Sequence, residues 1–177
     1  RSEFRNRTNN FIKQFRINKH MELHEAKAKF VQAWGAFGSN WGINRTMAQV
    51  HALLLVSEES LCADDIMEQL QISRGNSNMN IRALIDWGLV YKELKPGERK
   101  EYFIAEKDMW IVVRQIIIHR KKKELEPALK VLEEVQAVDG EGEDKESFLK
   151  MIKDIELFSR KADVLLDKLI EADAAWL

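Results

Sequence analysis

The chain has 177 residues, of which 45% are hydrophobic and 32% are charged, and its formal net charge is −1. This composition excludes a wholly disordered chain and supplies enough apolar residues for a packed core. The near-zero net charge excludes a chain that is basic throughout and binds nucleic acid with its whole surface.

The cysteine count and hydropathy exclude further classes. Cys62 is the only cysteine, which rules out an intramolecular disulfide and a multi-cysteine metal site. No apolar run approaches the roughly 18 residues of a membrane span, and the N-terminus lacks a signal-peptide pattern. We therefore expect a cytoplasmic protein with no membrane contact.

Residues 1–20 differ in charge from the rest of the chain. They hold six basic residues and one acid, a net of +5, so the remainder carries −6. They begin with Arg-Ser-Glu-Phe, which two common cloning sites encode when read in frame. We expect residues 1–20 to be a vector-derived or disordered extension and Met21 to be a native start. A native basic arm that touches DNA phosphates is the alternative.

Two helices are predicted first. From Glu22 to Phe37, apolar residues recur at spacings of three and four, which indicates an amphipathic helix. Gly35, Gly38 and Gly42 are then expected to loosen the chain, and Asn44 is expected to start the next element. From Arg45 to Ser57 the sequence is strongly apolar and predicts a helix that is buried on most sides.

A pair of short helices follows. The first begins at Ser60 or Cys62 and ends at Leu70, and the second runs from Ser73 to Trp87. Ser73 is a good N-cap. Asparagine and serine, which are poor residues for a helix interior, crowd the first turns of the second helix, so something other than folding favours them. Most or all of its apolar residues are expected to be buried, namely Met79, Leu84, Ile85 and Trp87.

A two-stranded hairpin is predicted next, from Leu89–Leu94 and Arg99–Ile104. Lys95-Pro96-Gly97-Glu98 between them fits a tight turn, with proline at the second position and glycine at the third. Residues 74–100 hold six basic residues and three acids, a net of +3 within an acidic body. Two short helices followed by a basic hairpin indicate a winged helix-turn-helix that reads DNA.

The C-terminal part is predicted to be helical. One helix runs from Asp108 to about Val135, with Pro127 as a kink or boundary, and a polar loop follows at residues 139–144. A last helix from Lys145 to Ala174 carries apolar residues at heptad-like spacing, namely Met151, Ile155, Phe158, Ala162, Leu165 and Leu169. Such stripes need a partner subunit for burial.

The fold class that we predict is mainly α with a small β-hairpin wing. Residues 22–44 form an N-terminal dimerisation helix and loop, and residues 45–105 form the winged helix-turn-helix DNA-binding domain. Residues 106–177 form a C-terminal helical dimerisation region.

Residues 72–80, the segment Trp87-Gly88-Leu89-Val90 and residues 96–103 carry a resemblance to a known family. They are similar to the GbsR-type branch of the MarR superfamily of transcriptional regulators, and the likeness covers roughly residues 22–135. It implies a homodimer with interlocking terminal helices that binds a near-palindromic operator, as a regulator that is expected to be a repressor. It places recognition-helix positions at Arg74, Asn76, Ser77, Asn78 and Asn80, and wing positions at Arg99 and Lys100.

Together, the charge pattern and the resemblance predict a set of DNA-binding residues. Arginine pairs with guanine and asparagine with adenine in the major groove, whereas wing cations meet phosphates or enter the minor groove. The predicted set is Ser73, Arg74, Asn76, Ser77, Asn78, Asn80, Arg82, Lys95, Arg99 and Lys100.

Some proteins that resemble this chain control genes for choline or glycine-betaine uptake. A choline-like cation binds in an aromatic cage, for which the sequence offers Trp34, Phe37, Trp41 and Trp110. The alternative is that these four are ordinary core and interface aromatics. Binding of a small-molecule effector is therefore one of two hypotheses for the role of these aromatic residues.

The sequence gives no support to an enzymatic function. The sequence has no phosphate-binding loop, nucleophile elbow or dinucleotide-binding fingerprint, so we expect no catalysis and no cofactor. The four histidines are scattered, and only His20 and His24 have a spacing that can bind a metal, without a third ligand nearby. The competing hypothesis is a protein-interaction module on a winged-helix scaffold that docks partners through the last helix.

Overall fold

Helices dominate residues 21–172, which are the part of the chain that the structure, a computed structural model, describes. The predicted extension at residues 1–20 lies outside this range. The helices are α1 (Leu23–Asn40), α2 (Arg45–Val56), α3 (Ala63–Leu70), α4 (Arg74–Asp86), α5 (Met109–Arg120), α6 (Glu126–Glu134) and α7 (Glu143–Glu171). The strands are β1 (Leu61–Cys62), β2 (Val90–Glu93) and β3 (Tyr102–Ala105). The prediction of a mainly α chain with a small wing is confirmed.

Helix α1 packs closely against α2 and continues past Gly35 and Gly38, while Gly42, the third glycine expected to loosen the chain, follows its end with φ +74°. A Cβ atom built on Gly38 would lie 2.5 Å from the Cβ of Ala48, and one on Gly35 would lie 2.6 Å from Cγ of Gln49. These glycines therefore serve the close approach of the two helices. The prediction that the helix ends near Phe37 was wrong because a glycine at a helix crossing and a glycine in a loop look alike in one sequence.

The sheet has three antiparallel strands in the order β1-β3-β2. In the hairpin, Val90 is paired with Ala105 and Glu93 with Tyr102. The predicted tight turn is present, because the Glu98 N–H donates to the Lys95 carbonyl over 3.1 Å and Gly97 has φ +83°, as a type II turn requires. The third strand was not predicted, since two residues are too short for an alternation to show.

The core lies where α2 and α4 meet the sheet. Ile66, Ile81 and Leu84 are all at most 2% exposed, and so are Val50, Leu54, Val90 and Val112. Met79 was expected to be buried with Leu84, but it is 59% exposed. Ile85 and Trp87 are half-buried against the core. The apolar stripe of α4 therefore excludes Met79.

The helical segment after the sheet changes its winding just before Pro127, where the sequence predicts a kink or a boundary. Helix α5 ends at Arg120, a π-helical turn spans Lys121–Leu125, and Pro127 occupies the first turn of α6. A proline inside a regular α-helix lacks an N–H donor and collides with the preceding turn. The π-helical turn, which is wider than an α-helical turn, lies just before Pro127. Residues 109–134 therefore form one continuous helical segment, in which the π-helical turn joins α5 to α6.

Polar contacts hold α7 against α5. The Lys121 ammonium lies 3.0 Å from Asp163 and also pairs with Asp167. At the other end, the Trp110 indole donates to the Ala172 carbonyl over 3.2 Å. The C-terminal part of α7 thus lies along α5, while Arg160 in its middle pairs with Glu133 of α6.

One ionisable side chain is buried in the contact between α1 and α2. His51 is 4% exposed, its Nε2 has no hydrogen-bond partner among residues 21–172, and its ring lies 6.4 Å from that of Trp34. Burial lowers the pKa of His51 from 6.5 to about 4. The folded protein therefore holds this imidazole neutral.

This burial predicts an acid-dependent loss of stability. Because the folded pKa lies below the unfolded one, the contribution of His51 is complete above pH 6.5 and is lost as the pH falls from 6.5 to 4. The loss is expected to reach about 3 kcal/mol of unfolding free energy. In urea unfolding from pH 7 to pH 4, His51→Leu should lose less stability than the parent protein. Equal pH dependence of the two proteins would contradict this account.

Candidate nucleic-acid interface

Helices α3 and α4 are joined by a short turn that sets the angle between them. At the start of α3, the Cys62 N–H donates to Oδ2 of Asp65 over 2.8 Å, and hydrogen bonds from Cys62 lower the pKa of Asp65. Gln71 then takes a left-handed conformation with φ 53°. Oγ of Ser73 accepts from the Asn76 N–H over 3.3 Å, which confirms Ser73 as the N-cap of α4.

The outward face of α4 carries three of the predicted residues. Arg74, Asn78 and Arg82 are all exposed and are spaced four residues apart, so they form one row along the helix. Gly75 and Met79 are also exposed and form a neighbouring row. This surface offers two guanidinium groups and one amide to a ligand.

Two other predicted residues face the opposite way. Ser77 is fully buried, and its hydroxyl donates to the Ala63 carbonyl at 3.5 Å. Asn80 is 3% exposed, and its Nδ2 donates to the backbone carbonyl of Asn76 over 2.8 Å and to Oδ1 of Asn76 over 2.7 Å. The prediction that Ser77 and Asn80 contact DNA is not supported by this placement, because their polar atoms face the protein interior. Asn76 is half-buried, and its Oδ1 already accepts this hydrogen bond from Asn80.

The carboxylate of Asp64 joins the helix-turn-helix to the wing. Its Oδ1 lies 2.9 Å from Nη2 of Arg74, and its Oδ2 lies 3.1 Å from Nζ of Lys100. The hydrogen bond to Asp64 raises the pKa of Lys100. No local pattern in the sequence places Asp64 beside the wing. These three side chains border a cleft of about 190 Å³ that Asn78 also lines.

The wing itself is ordered by contacts around Tyr102. The Lys95 ammonium lies 4.2 Å from the centre of the Tyr102 ring, a cation–π geometry. The Tyr102 hydroxyl donates to Glu98, and this hydrogen bond raises the pKa of Tyr102 to about 12. Lys95 is therefore half-buried on the ring.

Two predicted cations have no protein partner in the described part of the chain. Arg82 on α4 and Arg99 at the wing tip are exposed, and neither makes an ion pair or a side-chain hydrogen bond there. By contrast, Lys92 pairs with Glu101 over 2.7 Å. Arg82 and Arg99 thus remain available for an anionic ligand.

The four aromatic residues of the effector hypothesis lie in different surroundings. Trp34 packs against Phe30 with ring centres 5.4 Å apart, and Trp110 is bonded to Ala172. Phe37 and Trp41 are 64% and 70% exposed. Among residues 21–172, no two of these four rings are in stacking contact. The aromatic cage remains a prediction, because the four rings do not come together within the described part of one chain.

Residues 21–172 include no cluster of three or more histidine, cysteine or acidic side chains that could hold a metal ion. None of the helices in this range combines the length and the hydropathy that crossing a membrane requires.

A helix-turn-helix followed directly by a β-hairpin defines a winged helix-turn-helix protein. The chain is 27% identical over 97 residues to the HTH-type transcriptional repressor GbsR of Bacillus subtilis (strain 168). This match confirms the resemblance to GbsR-type regulators. It covers 55% of this chain and 53% of the relative, so the chain spans about half the length of the relative that it matches.

A solved structure supports the fold. The crystal structure of a transcriptional regulator superposes on 82% of this chain and 95% of its own, with a TM-score of 0.63 and 16% sequence identity. No family model matches the chain. The winged helix-turn-helix fold is thus shared with a solved regulator despite low sequence identity.

The two asparagines of α4 that face opposite ways give a matched test of this geometry. Asn80→Ala should lower the unfolding free energy by about 1–3 kcal/mol, because it removes two hydrogen bonds that a buried amide donates to Asn76. Asn78→Ala, on the exposed face, should change it by no more than about 0.5 kcal/mol. Urea unfolding of both variants at one pH checks the difference. Equal destabilisation by both would show that the helix is rotated from the orientation described.

Proposed function

We propose that this protein is a sequence-specific DNA-binding transcriptional regulator that acts as a homodimeric repressor. The observation that carries the proposal is the exposed row Arg74, Asn78 and Arg82 on the outward face of α4. Arginine and asparagine are the residues that form bidentate hydrogen bonds with guanine and adenine. No catalytic step is part of this proposal, and a regulator of this kind acts in the cytoplasm beside the chromosome.

The mechanism follows from the placement of α4 and the wing. The N-terminal turns of α4 enter the major groove, where Arg74 and Asn78 meet base edges. Arg99 at the wing tip lies against phosphates or in the adjacent minor groove. Lys100 and Lys95 add positive charge to the same side, so the protein covers the operator and blocks transcription.

Asp64 gives this surface an additional property. Its ion pairs hold Arg74 and Lys100 in fixed positions, but both pairs are exposed and contribute little to stability. A carboxylate on this side also repels phosphates. We infer that Asp64 weakens non-specific DNA binding, in which phosphate attraction dominates, more than it weakens specific binding.

The homodimer is inferred from apolar surface that one chain leaves uncovered. None of the residues of α7 is buried. Phe158 is 74% exposed, Met151 and Leu165 are each 59% exposed, and the predicted seam also includes Ile155 and Leu169, which are 42% and 41% exposed. Contiguous apolar surface of this kind marks an interface. A two-fold dimer would present two α4 helices to successive major grooves about one DNA turn apart.

The similarity to a repressor favours DNA binding over a protein-interaction module. An effector would act by changing the distance between the two α4 helices through the long dimer helices. The choline-like ligand remains a hypothesis that rests on the resemblance alone.

A first prediction separates phosphate contacts from base contacts on an operator selected from a randomised duplex library. Arg99→Ala should weaken binding to specific and random duplexes alike. It should also reduce the slope of log affinity against log salt concentration by about one. Arg74→Ala and Asn78→Ala should instead relax the preference for one base pair, at a cost of about 1–3 kcal/mol. Fluorescence anisotropy at several salt concentrations measures both effects.

The matched control is Lys153→Ala, which removes an exposed lysine of α7, far along the chain from the wing. It should leave affinity and salt dependence unchanged. If Arg99→Ala, Arg74→Ala and Asn78→Ala all bind like the parent protein, the proposed interface is wrong.

A second prediction concerns the dimer. Phe158→Asp should convert the protein to monomers, because a dimer that covers this seam would bury an unpaired carboxylate. Lys150→Asp introduces the same group at an exposed position off the seam and should leave the dimer intact. Sedimentation equilibrium distinguishes the two results. A dimeric Phe158→Asp variant would place the interface elsewhere.

A further inference from the structure

Met79 is an exposed apolar residue on the outward face of α4. Neither packing in the core nor a charge interaction explains why a methionine occupies this position. It is 59% exposed, whereas Ile81 and Leu84 on the same helix are at most 2% exposed. It therefore contributes little to the core. Within α4, every other exposed residue is polar, charged or glycine.

The position of Met79 brings it to the end of α4 that the proposed mechanism inserts in the groove. Side chains of an α-helix lean toward its N-terminus and over the residue four positions earlier. For Met79 that residue is Gly75, and nothing lies within 4 Å of the place where a Cβ of Gly75 would be. The space beside Met79 is thus open to a ligand.

The neighbours of Met79 restrict the kind of ligand. Asn78 precedes it, and Arg82 follows one turn later, so a single apolar side chain lies among groups that hydrogen-bond. A DNA major groove has the matching arrangement, because base edges present donors and acceptors and one apolar group, the C5-methyl of thymine. An unbranched methionine side chain adapts to such a contact.

We propose that Met79 is a specificity-determining residue that packs against the C5-methyl group of a thymine in each half-site of the operator. This inference rests on the proposed function and adds a base preference to it. Arg74 and Asn78 select bases by hydrogen bonds, whereas Met79 selects thymine over cytosine and over uracil by apolar contact.

The test replaces thymines by deoxyuridine, one position at a time, in a duplex selected by the parent protein from a randomised library. This change removes the methyl group and leaves base pairing and phosphates intact. At one thymine per half-site, the parent protein should lose about fourfold in affinity, as expected for one buried methyl group. Met79→Ala should bind the thymine and uracil duplexes equally, with the affinity that the parent has for uracil.

Two further variants make the result specific. Met79→Leu keeps an apolar side chain and should still prefer thymine, and Asn78→Ala should keep the thymine preference while losing affinity. Circular dichroism verifies that each variant is folded. If no deoxyuridine position weakens the parent, or if Met79→Ala still prefers thymine, the inference is overturned while the proposed function stands. If the parent selects no duplex at all, the proposed function itself fails.

Discussion

The burial of one face of α4 is the constraint on which the rest of the site depends. Ser77, Asn80, Ile81 and Leu84 are all buried, and they occur at the i, i+3, i+4 and i+7 spacing of a single helix face. Rotation of the helix would expose Ile81 and Leu84 and would break the hydrogen bond from the Ser77 hydroxyl to the Ala63 carbonyl. The opposite face, with Met79 and Arg82, is therefore presented to solvent in a fixed orientation. Packing in the core thus decides which side chains are available to a ligand.

Most of the cations on the exposed side are held by neighbouring side chains. Asp64 holds Arg74 and Lys100, and Tyr102 holds Lys95, while Arg99 has no partner in the described chain. Each of these contacts is exposed or half-exposed and adds little stability by itself. Their effect is to limit the positions that long side chains occupy before a ligand arrives, which reduces the entropy lost on binding.

Local signals made part of this site predictable from the sequence. The Ser73 cap and the Pro96-Gly97 turn are encoded by adjacent residues, so the recognition helix and the wing were located correctly. Three residues of α4 differ from expectation, because Ser77 and Asn80 look like surface residues and Met79 looks like a core residue. Counting back from Ile81 and Leu84 at helical spacing would have found the buried stripe. The contact of Asp64 with the wing depends on tertiary packing, which no local pattern in one sequence shows.

The central claim is that the outward face of α4 lies in the major groove of DNA. Dimethyl sulfate methylates guanine at N7, an atom that lies in this groove. On a selected duplex with guanines in both half-sites, the protein should protect N7 in two stretches about 10 base pairs apart. Bound protein that leaves every guanine N7 as reactive as in free DNA would contradict the claim.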